Sequence, residues 1–560
     1  MKHLLPFLHW PRPDAALLRG EALAGLTVGL MVLPQGVAYA ALAGMPLQTG
    51  IYASMLPALV AVLFSASTRL SVGPTALSCL LVGASLNGLA VPGSAEWVNL
   101  AVWLALLSGL LQTALGLLRF GWLLNLVSAP VLMAFTQAAA VLIVASQLPA
   151  LLGLHGTGSG LRVWDSGAPN WYAMGFGLVS LALLVLVRRW RPAFPSVLLI
   201  VLLSAAVSVT IGFAALGGPV VGVLPHGLPA LFLPRWPGWE ALGQLVLPTL
   251  VITLVSFLET ASSARVDSER AGKPWDQNQD LIGQGLGKLA AAFSGAFPTS
   301  SSFSRSALNL YAGAQTGWAT VASVLVVLLA LLLFMPVLQQ VPHAVLAAIV
   351  LVAVIGLLKP HEFVQLWRVS RIEAAIAGTT FVVTLVAAPR LYWGVLTGIL
   401  LALSHFLYQR MHPRIIEVGL HPDGSLRDRH LWQLPPLAPQ LYALRMDAAL
   451  DFATARSFER AIVEHLAAHP GTQHVCLLAQ PINRIDATGI EVVAKLCAQL
   501  RRQGITLHIS GLKLPVETPL RRANALPPGP LLRLYRTEGE LLAALAKLDD
   551  DPDDIAAAAI

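Results

Sequence analysis

Apolar blocks separated by short polar breaks fill the chain from Met1 to about Met411. They fall at roughly 22–41, 47–66, 76–91, 98–118, 126–152, 172–188, 194–216, 242–264, 281–296, 303–312, 317–338, 341–358, 373–388 and 391–409. Most approach the ~20 residues that an α-helix needs to cross a bilayer. Two are short, and each follows a Pro-Thr pair. One comes after Ser71-Val72-Gly73-Pro74-Thr75 and the other after Phe297-Pro298-Thr299. Fourteen segments with the short ones third and tenth predict two repeats of seven. Interrupted helices in corresponding positions of two halves point to a transporter's binding site.

The pattern changes after Pro413. Leu441–Met446, His474–Ala479 and Ile505–Ser510 read as strands; Thr454–Ala468 and Gly489–Gln503 read as helices. Strands alternating with helices predict an α/β layer domain. Asp486 or Thr488 is placed to cap the second of those helices. The expected organisation is a lead-in over 1–20, a transmembrane domain over 21–412, an α/β domain with its linker over 413–548, and a disordered acidic and alanine-rich tail over 549–560. Three prolines before Arg19 leave no continuous apolar core there, so the start does not read as a cleavable signal peptide.

Composition agrees with the spans. Of 560 residues 56% are hydrophobic and 12% charged, which excludes a soluble globular protein of this length. The net charge of +7 does not indicate nucleic acid, because the cations lie between apolar blocks, where they set topology. With the N-terminus inside, the inner loops collect Arg69, Arg119, Arg188, Arg189 and further basic residues, whereas the outer loops carry only Arg162, Arg235 and Arg390. That bias places both termini in the cytoplasm. It also makes the third segment enter from inside and the tenth from outside, so the repeats are inverted and two helix N-termini face each other. Cys79, Cys476 and Cys497 lack ligand spacing and read as packed thiols. No nucleophile triad, metal cluster or phosphate loop marks an enzyme.

Three groups of residues carry candidate chemistry. Ser302, Ser304 and Arg305 open the tenth segment. A guanidinium fork, hydroxyls and the unpaired N–H groups of a helix start together suit an oxyanion. Glu259 lies inside the eighth segment, where a carboxylate is either neutral or paired, and Arg305 is its expected partner. Gln35 and Tyr39, four apart, share a helix face and both can donate hydrogen bonds. Lys288, in the ninth segment, is expected to snorkel toward the cytoplasm. The stretch Arg265–Asp280 reads as a solvated connector.

These residues resemble the SulP anion permeases. The resemblance rests on Pro34-Gln35 to Tyr39, the Ser71–Thr75 break, the run Asn278–Gly285 and the stretch from Gly295 to Gly313. The run Ser301-Ser302-Phe303-Ser304-Arg305-Ser306-Ala307 looks like the plant-type version of the tenth-helix motif. The resemblance implies a polytopic α-helical fold of seven-plus-seven inverted repeats, in which a core domain moves against a gate domain. It implies a pocket lined by Gln35, Tyr39, Ala76, Leu77, Phe303, Ser304 and Arg305, and proton coupling through Glu259. Sodium-coupled bicarbonate members carry an aspartate in the eighth helix and no equivalent arginine, so a proton rather than sodium is the expected coupling ion, with no other cofactor. The tail resembles a STAS domain, in which Thr488 takes the place of a residue that is phosphorylated in bacterial anti-sigma-factor antagonists. A helix cap without modification accounts fully for that position and is the favoured reading.

The expected function is proton-coupled import of sulfate or a similar oxyanion across a bacterial inner membrane, and the resemblance implies a homodimer. The rivals are bicarbonate or a C4-dicarboxylate on the same scaffold, or a channel-like or signalling membrane protein with the STAS domain as output.

Overall fold

The computed structural model describes residues 5–154, 170–190, 196–222, 227–272, 274–333 and 335–550. They form two compact units that divide after Ala402, and each is described by itself.

In the first unit the chain runs α1 (Ala15–Leu42), α2 (Gln48–Tyr52), α3 (Leu56–Phe64), β1 (Val72–Gly73), α4 (Ala76–Leu86), α5 (Ala95–Leu117), α6 (Ala129–Leu151), α7 (Trp171–Trp190) and α8 (Ser196–Thr210). It continues with α9 (Trp239–Ala271), α10 (Gln277–Phe293), β2 (Ser300–Ser301), α11 (Phe303–Tyr311), α12 (Trp318–Leu333), α13 (Met335–Leu338), α14 (His343–Ile355), α15 (Pro360–Val369), α16 (Arg371–Val386) and α17 (Tyr392–Met411). Each of the fourteen apolar segments meets helix at its expected place. Five helical stretches among the described residues are long and apolar enough to cross a membrane alone; the others are shorter.

Local chemistry fixes the ends. Asp14 caps α1 by accepting from the Leu17 N–H at 2.7 Å, Ser94 caps α5, Asp276 caps α10 and Ser370 caps α16. In the second segment the backbone of α2 lies directly on α1, and Pro57 stands in the first turn of α3 after the break. A Cβ added to Gly50 would overlap the carbonyl of Gly36, so only glycine allows the approach.

The packing obeys the two-repeat pattern. α1 packs on α12 as α5 packs on α9, and α6 packs on α16 as α14 packs on α7. Exchanging the seven-segment halves carries each pair into the other. β1 and β2, the two breaks, pair antiparallel, with Val72 opposite Ser301 and Gly73 opposite Ser300. α3 packs on β1 and α9 on β2, and α1, α5, α10 and α12 pack in turn with these helices, whereas α6, α7, α14 and α16 pack on one another.

Two expectations fail here. The stretch Arg265–Asp280 is not a solvated connector. α9 extends through Ala271, Asp267 pairs with Arg69 at 2.6 Å, and buried Asp280 accepts from the Ser67 N–H, the Ser67 hydroxyl and the Trp275 indole. The second failure is α15, which hydropathy missed: none of its residues is buried, and its polar and apolar positions alternate with helical rather than continuous spacing.

The second unit holds a six-stranded sheet with the order β4 (Leu426–Asp428), β3 (Ile415–Leu420), β5 (Leu441–Met446), β6 (His474–Leu478), β7 (Thr506–Ser510) and β8 (Leu532–Tyr535). β5 to β8 are parallel, and β3 runs antiparallel to both its neighbours. Parallel strands need cover on both faces. On one face lie α18 (Ala455–Ala468), α19 (Ala487–Arg502) and α20 (Leu514–Arg522), through Phe458, Ile462, Val493, Leu496 and Leu520. On the other, Leu541 and Leu545 of α21 (Glu538–Asp550) pack on Cys476 and Leu478. The sequence reading missed β3, β4, α20, β8 and α21. Helix α21 also runs to Asp550, two residues into the expected disordered tail, and the remainder of that tail lies outside the described residues.

His508 is 1% exposed, with its ring nitrogens 3.1 Å from the Tyr535 hydroxyl and 3.2 Å from His474 Nδ1. Burial first, then the charges of His474 and Arg533, pushes its pKa down to about 3. The folded side chain therefore stays neutral where the unfolded one, near 6.5, takes a proton. Stability of this unit falls as pH drops below about 6.5 and continues to fall until about 3, at about 1.4 kcal/mol per pH unit. At pH 5 the loss is about 2 kcal/mol. Thermal unfolding of the full chain should show that slope, and His508→Gln should flatten it. An equal slope in the variant contradicts this account.

Candidate functional site

The β1–β2 crossing places two helix starts together, because α4 begins three residues after β1 and α11 two residues after β2. The crossing is locked by further bonds. The Ser71 N–H donates to Ser306 Oγ at 3.0 Å, the Ser302 N–H donates to the Ser71 carbonyl at 2.9 Å, and Asn309 Nδ2 donates to the Arg69 carbonyl at 2.8 Å. Pro74 and Pro298 cannot donate to a ladder, so the pairing stops after two residues.

The two helix starts differ. Thr75 caps α4, accepting from the Ser78 N–H at 3.3 Å. The Ala76 and Leu77 N–H groups belong to the first turn of α4, where an α-helix supplies no intrahelical acceptor. Ser302 precedes α11 but makes no capping bond; its hydroxyl lies 3.4 Å from Ser304 Oγ. The first turn of α11, from Phe303 to Arg305, therefore offers its N–H groups uncapped. Each helix end carries about half a positive charge.

Arg305 is 1% exposed. Its Nε donates to Ser71 Oγ at 3.2 Å and its Nη1 to the Pro74 carbonyl at 2.9 Å. Its Nη2 is buried and has no hydrogen-bond partner among the described residues. A Cβ on Gly73 would stand 3.3 Å from that nitrogen, so glycine keeps the space beside it open. Two arms of the guanidinium thus clamp the first break, and the third is left as an unused donor.

The expected Arg305–Glu259 ion pair is absent. Among the described residues no nitrogen of Arg305 lies within 4.0 Å of that carboxylate. Glu259 Oε2 instead accepts from Thr75 Oγ1 at 3.1 Å and Ser78 Oγ at 3.3 Å, and the Ser300 hydroxyl lies beside it. The reason is the locking of the crossing: Pro74 O and Ser71 already hold the guanidinium, and the first turn of α4 reaches Glu259 with hydroxyls. Glu259 is connected to the helix start rather than to the arginine.

Gln35 and Tyr39 are buried on α1, at 3% and 5% exposure, and α1 packs against both α4 and α11. Gln35 Oε1 has no partner. Ala76 and Leu77 are buried, whereas Phe303 and Ser304 are exposed. Gln35, Tyr39, Ala76, Leu77 and Arg305 thus belong to helices that meet at the crossing, and Phe303 and Ser304 open its outer side.

Lys288 does not snorkel. It is fully buried, and its Nζ donates to Gln112 Oε1 at 2.6 Å and to Ser256 Oγ. Its helix α10 packs along α5 over most of its length, which leaves the ammonium no route to water. Sequence reading also missed Ser71, Thr75, Ser78 and Ser256 as partners. Ser256 had one usable signal, its place one helical turn before Glu259.

In the second unit Asp486, not Thr488, caps α19. Its carboxylate accepts from the Gly489 N–H at 2.9 Å and also holds the Phe452 N–H at 2.9 Å. Thr488 is exposed in the first turn. All three cysteines are buried and free.

Comparison with known proteins adds an independent line. The profile described as "Sulfate permease family" matches residues 18–380, and the one described as "STAS domain" matches residues 436–541. A probable sulfate transporter 4.2 of Arabidopsis thaliana is 32% identical, over 90% of this chain and 77% of its own length. A probable sulfate transporter of Mycobacterium tuberculosis is 30% identical, over 91% of this chain and 92% of its own. Among solved structures, the murine solute carrier 26 family member A9 anion transporter, inward-facing, superposes with a TM-score of 0.87 at 21% identity, covering 97% of this chain and 94% of that one.

Proposed function

The chain belongs to the sulfate permease family and carries a C-terminal STAS domain, and from that premise we propose that it imports sulfate or a similar oxyanion together with protons. It is a multi-pass membrane protein and a transporter rather than an enzyme. The proposal sets it in a bacterial inner membrane with both termini in the cytoplasm, as a homodimer, with the proton as coupling ion and no other cofactor.

One observation carries the reading. Two helix starts, that of α11 without a side-chain cap, follow the paired breaks beside a buried arginine whose Nη2 has no hydrogen-bond partner among the described residues. Donors fixed in advance bind an anion without the cost of ordering them. Gln35 and Tyr39 supply side-chain donors from α1, and Ser304 from α11. Glu259 tunes the site through Thr75 and Ser78. As a carboxylate it repels an anion at the α4 start and occupies two hydroxyls there. Protonated, it withdraws that charge, so proton and anion enter together. Taking up one proton with a dianion reduces the charge moved against an inside-negative potential from two to one, at about 2.3 kcal/mol per charge per 100 mV.

Anion competition tests the substrate. In proteoliposomes, unlabelled sulfate should suppress labelled sulfate uptake at concentrations at least about tenfold below those at which bicarbonate, fumarate or succinate do, a difference of about 1.4 kcal/mol. Stronger suppression by one of those anions would reassign the substrate on the same scaffold. Absence of saturable uptake would favour a channel-like or signalling role.

A further inference from the structure

Lys288 is fully buried, and its Nζ has two neutral partners, Gln112 Oε1 at 2.6 Å and Ser256 Oγ. No carboxylate lies within ion-pair distance of it among the described residues. A buried charge without a counter-charge is expensive, and a neutral amide could make the same two bonds. Its placement gives the cation a use. Ser256 and Glu259 lie three apart on α9, so they share one face of the helix. The Ser256 carbonyl accepts from the Ser300 hydroxyl at 3.1 Å, and Ser300 sits in β2 beside Glu259. Lys288 is thereby joined through Ser256 to the same crossing that Glu259 reaches through Thr75 and Ser78.

We propose that Lys288 is a positioning residue of the coupling centre, a buried basic group that, when protonated, acts on Glu259 across Ser256 and sets the pH at which Glu259 takes up its proton. The inference rests on the coupling role proposed for Glu259. Few other charged groups surround the pair. On the helices packed against α9 and α10 these are Arg305 on α11, Cys79 on α4, and Glu96 at the far start of α5; α3 and the 3-10 turn Phe120–Leu126 bring none. α9 itself adds Glu240, Arg265, Asp267, Glu269 and Arg270 toward its ends, and α10 adds Asp280, which is bonded to Ser67 and Trp275. Tyr39 on α1 completes the set around Arg305.

A nearby positive charge favours the carboxylate form of an acid. Removing it lets Glu259 take its proton at higher pH. In proteoliposomes, the pH of half-maximal sulfate uptake should therefore move upward by roughly one unit in Lys288→Gln. Lys288→Arg keeps the charge and should stay near the wild-type profile. Gln112→Glu gives Lys288 a carboxylate partner that cancels its field, and should shift the profile in the same direction as Lys288→Gln. It carries the test if Lys288→Gln fails to fold. An unchanged or acid-shifted profile in either folded variant overturns the inference. Glu259→Gln is run alongside: if it keeps a pH-dependent profile, the coupling role of Glu259 fails, and the inference about Lys288 falls with it. A flat Glu259→Gln profile with an unmoved Lys288→Gln profile sinks the Lys288 role alone.

Discussion

Replacing Arg305 with alanine is expected to lower sulfate uptake at least about 100-fold, equivalent to about 2.7 kcal/mol, which lies within the range for truncating one partner of a buried charged contact. The arginine contributes twice. Its Nη2 is the one guanidinium nitrogen free to meet an anion, while Nε and Nη1 hold Ser71 and Pro74 so that α4 starts where it does. Alanine removes the charge and releases the break. Arg305→Lys separates these contributions. It keeps a positive charge but has no planar fork, so it cannot hold Ser71 and Pro74 while also presenting a donor. Its uptake should fall between those of wild type and alanine, mainly through a higher KM. Initial rates against sulfate concentration, on variants shown to be monodisperse, check both. Near wild-type uptake by Arg305→Ala would remove the arginine from the site.

Glu259→Gln is the second large effect, and it is selective. Glutamine has the size of glutamic acid, can accept from Thr75 and Ser78 as the carboxylate does, and cannot change its charge. Exchange of internal for external sulfate needs no net proton movement and should persist. Accumulation driven by an acid-outside gradient should be lost, leaving uptake flat with external pH. The absent Arg305–Glu259 ion pair shapes this expectation. Had the carboxylate held the guanidinium, glutamine would also have freed Arg305 and altered affinity at every pH. Because Glu259 meets the α4 start instead, the variant should change coupling more than binding. Paired measurements of counterflow and gradient-driven uptake distinguish these outcomes, and equal loss of both contradicts the assignment.

Much of this was legible in the sequence, for identifiable reasons. Spans follow from continuous apolar length, and the two half-helices announced themselves because proline interrupts a membrane segment only where the freed backbone finds other partners. The β1–β2 pairing was anticipated as two facing helix starts, but not its strand hydrogen bonds, because two-residue strands have no periodicity. The chemistry of Arg305 was readable and its partners were not. One acceptor is a backbone carbonyl, and the other is the hydroxyl of Ser71, which a sequence cannot separate from ordinary backbone-bonded serines. Lys288 was misjudged because snorkelling depends on what covers the side chain, here Gln112 from a helix some 170 positions earlier. In the second unit the central strands β5, β6 and β7 are apolar and legible. The edge strands β4 and β8 contain no fully buried residue and give a weak pattern. Hydropathy passed over α15 for the same reason, since it buries nothing.

The central claim is that the paired helix starts and Arg305 bind an oxyanion whose entry Glu259 ties to a proton. Its most direct test is labelled sulfate uptake into proteoliposomes of the wild-type protein, with pH and sodium gradients imposed independently. An acid-outside gradient should drive transient accumulation of sulfate above equilibrium with no sodium present, and a sodium gradient at equal pH should drive none. Accumulation that follows sodium, or that ignores the pH gradient, would contradict the account.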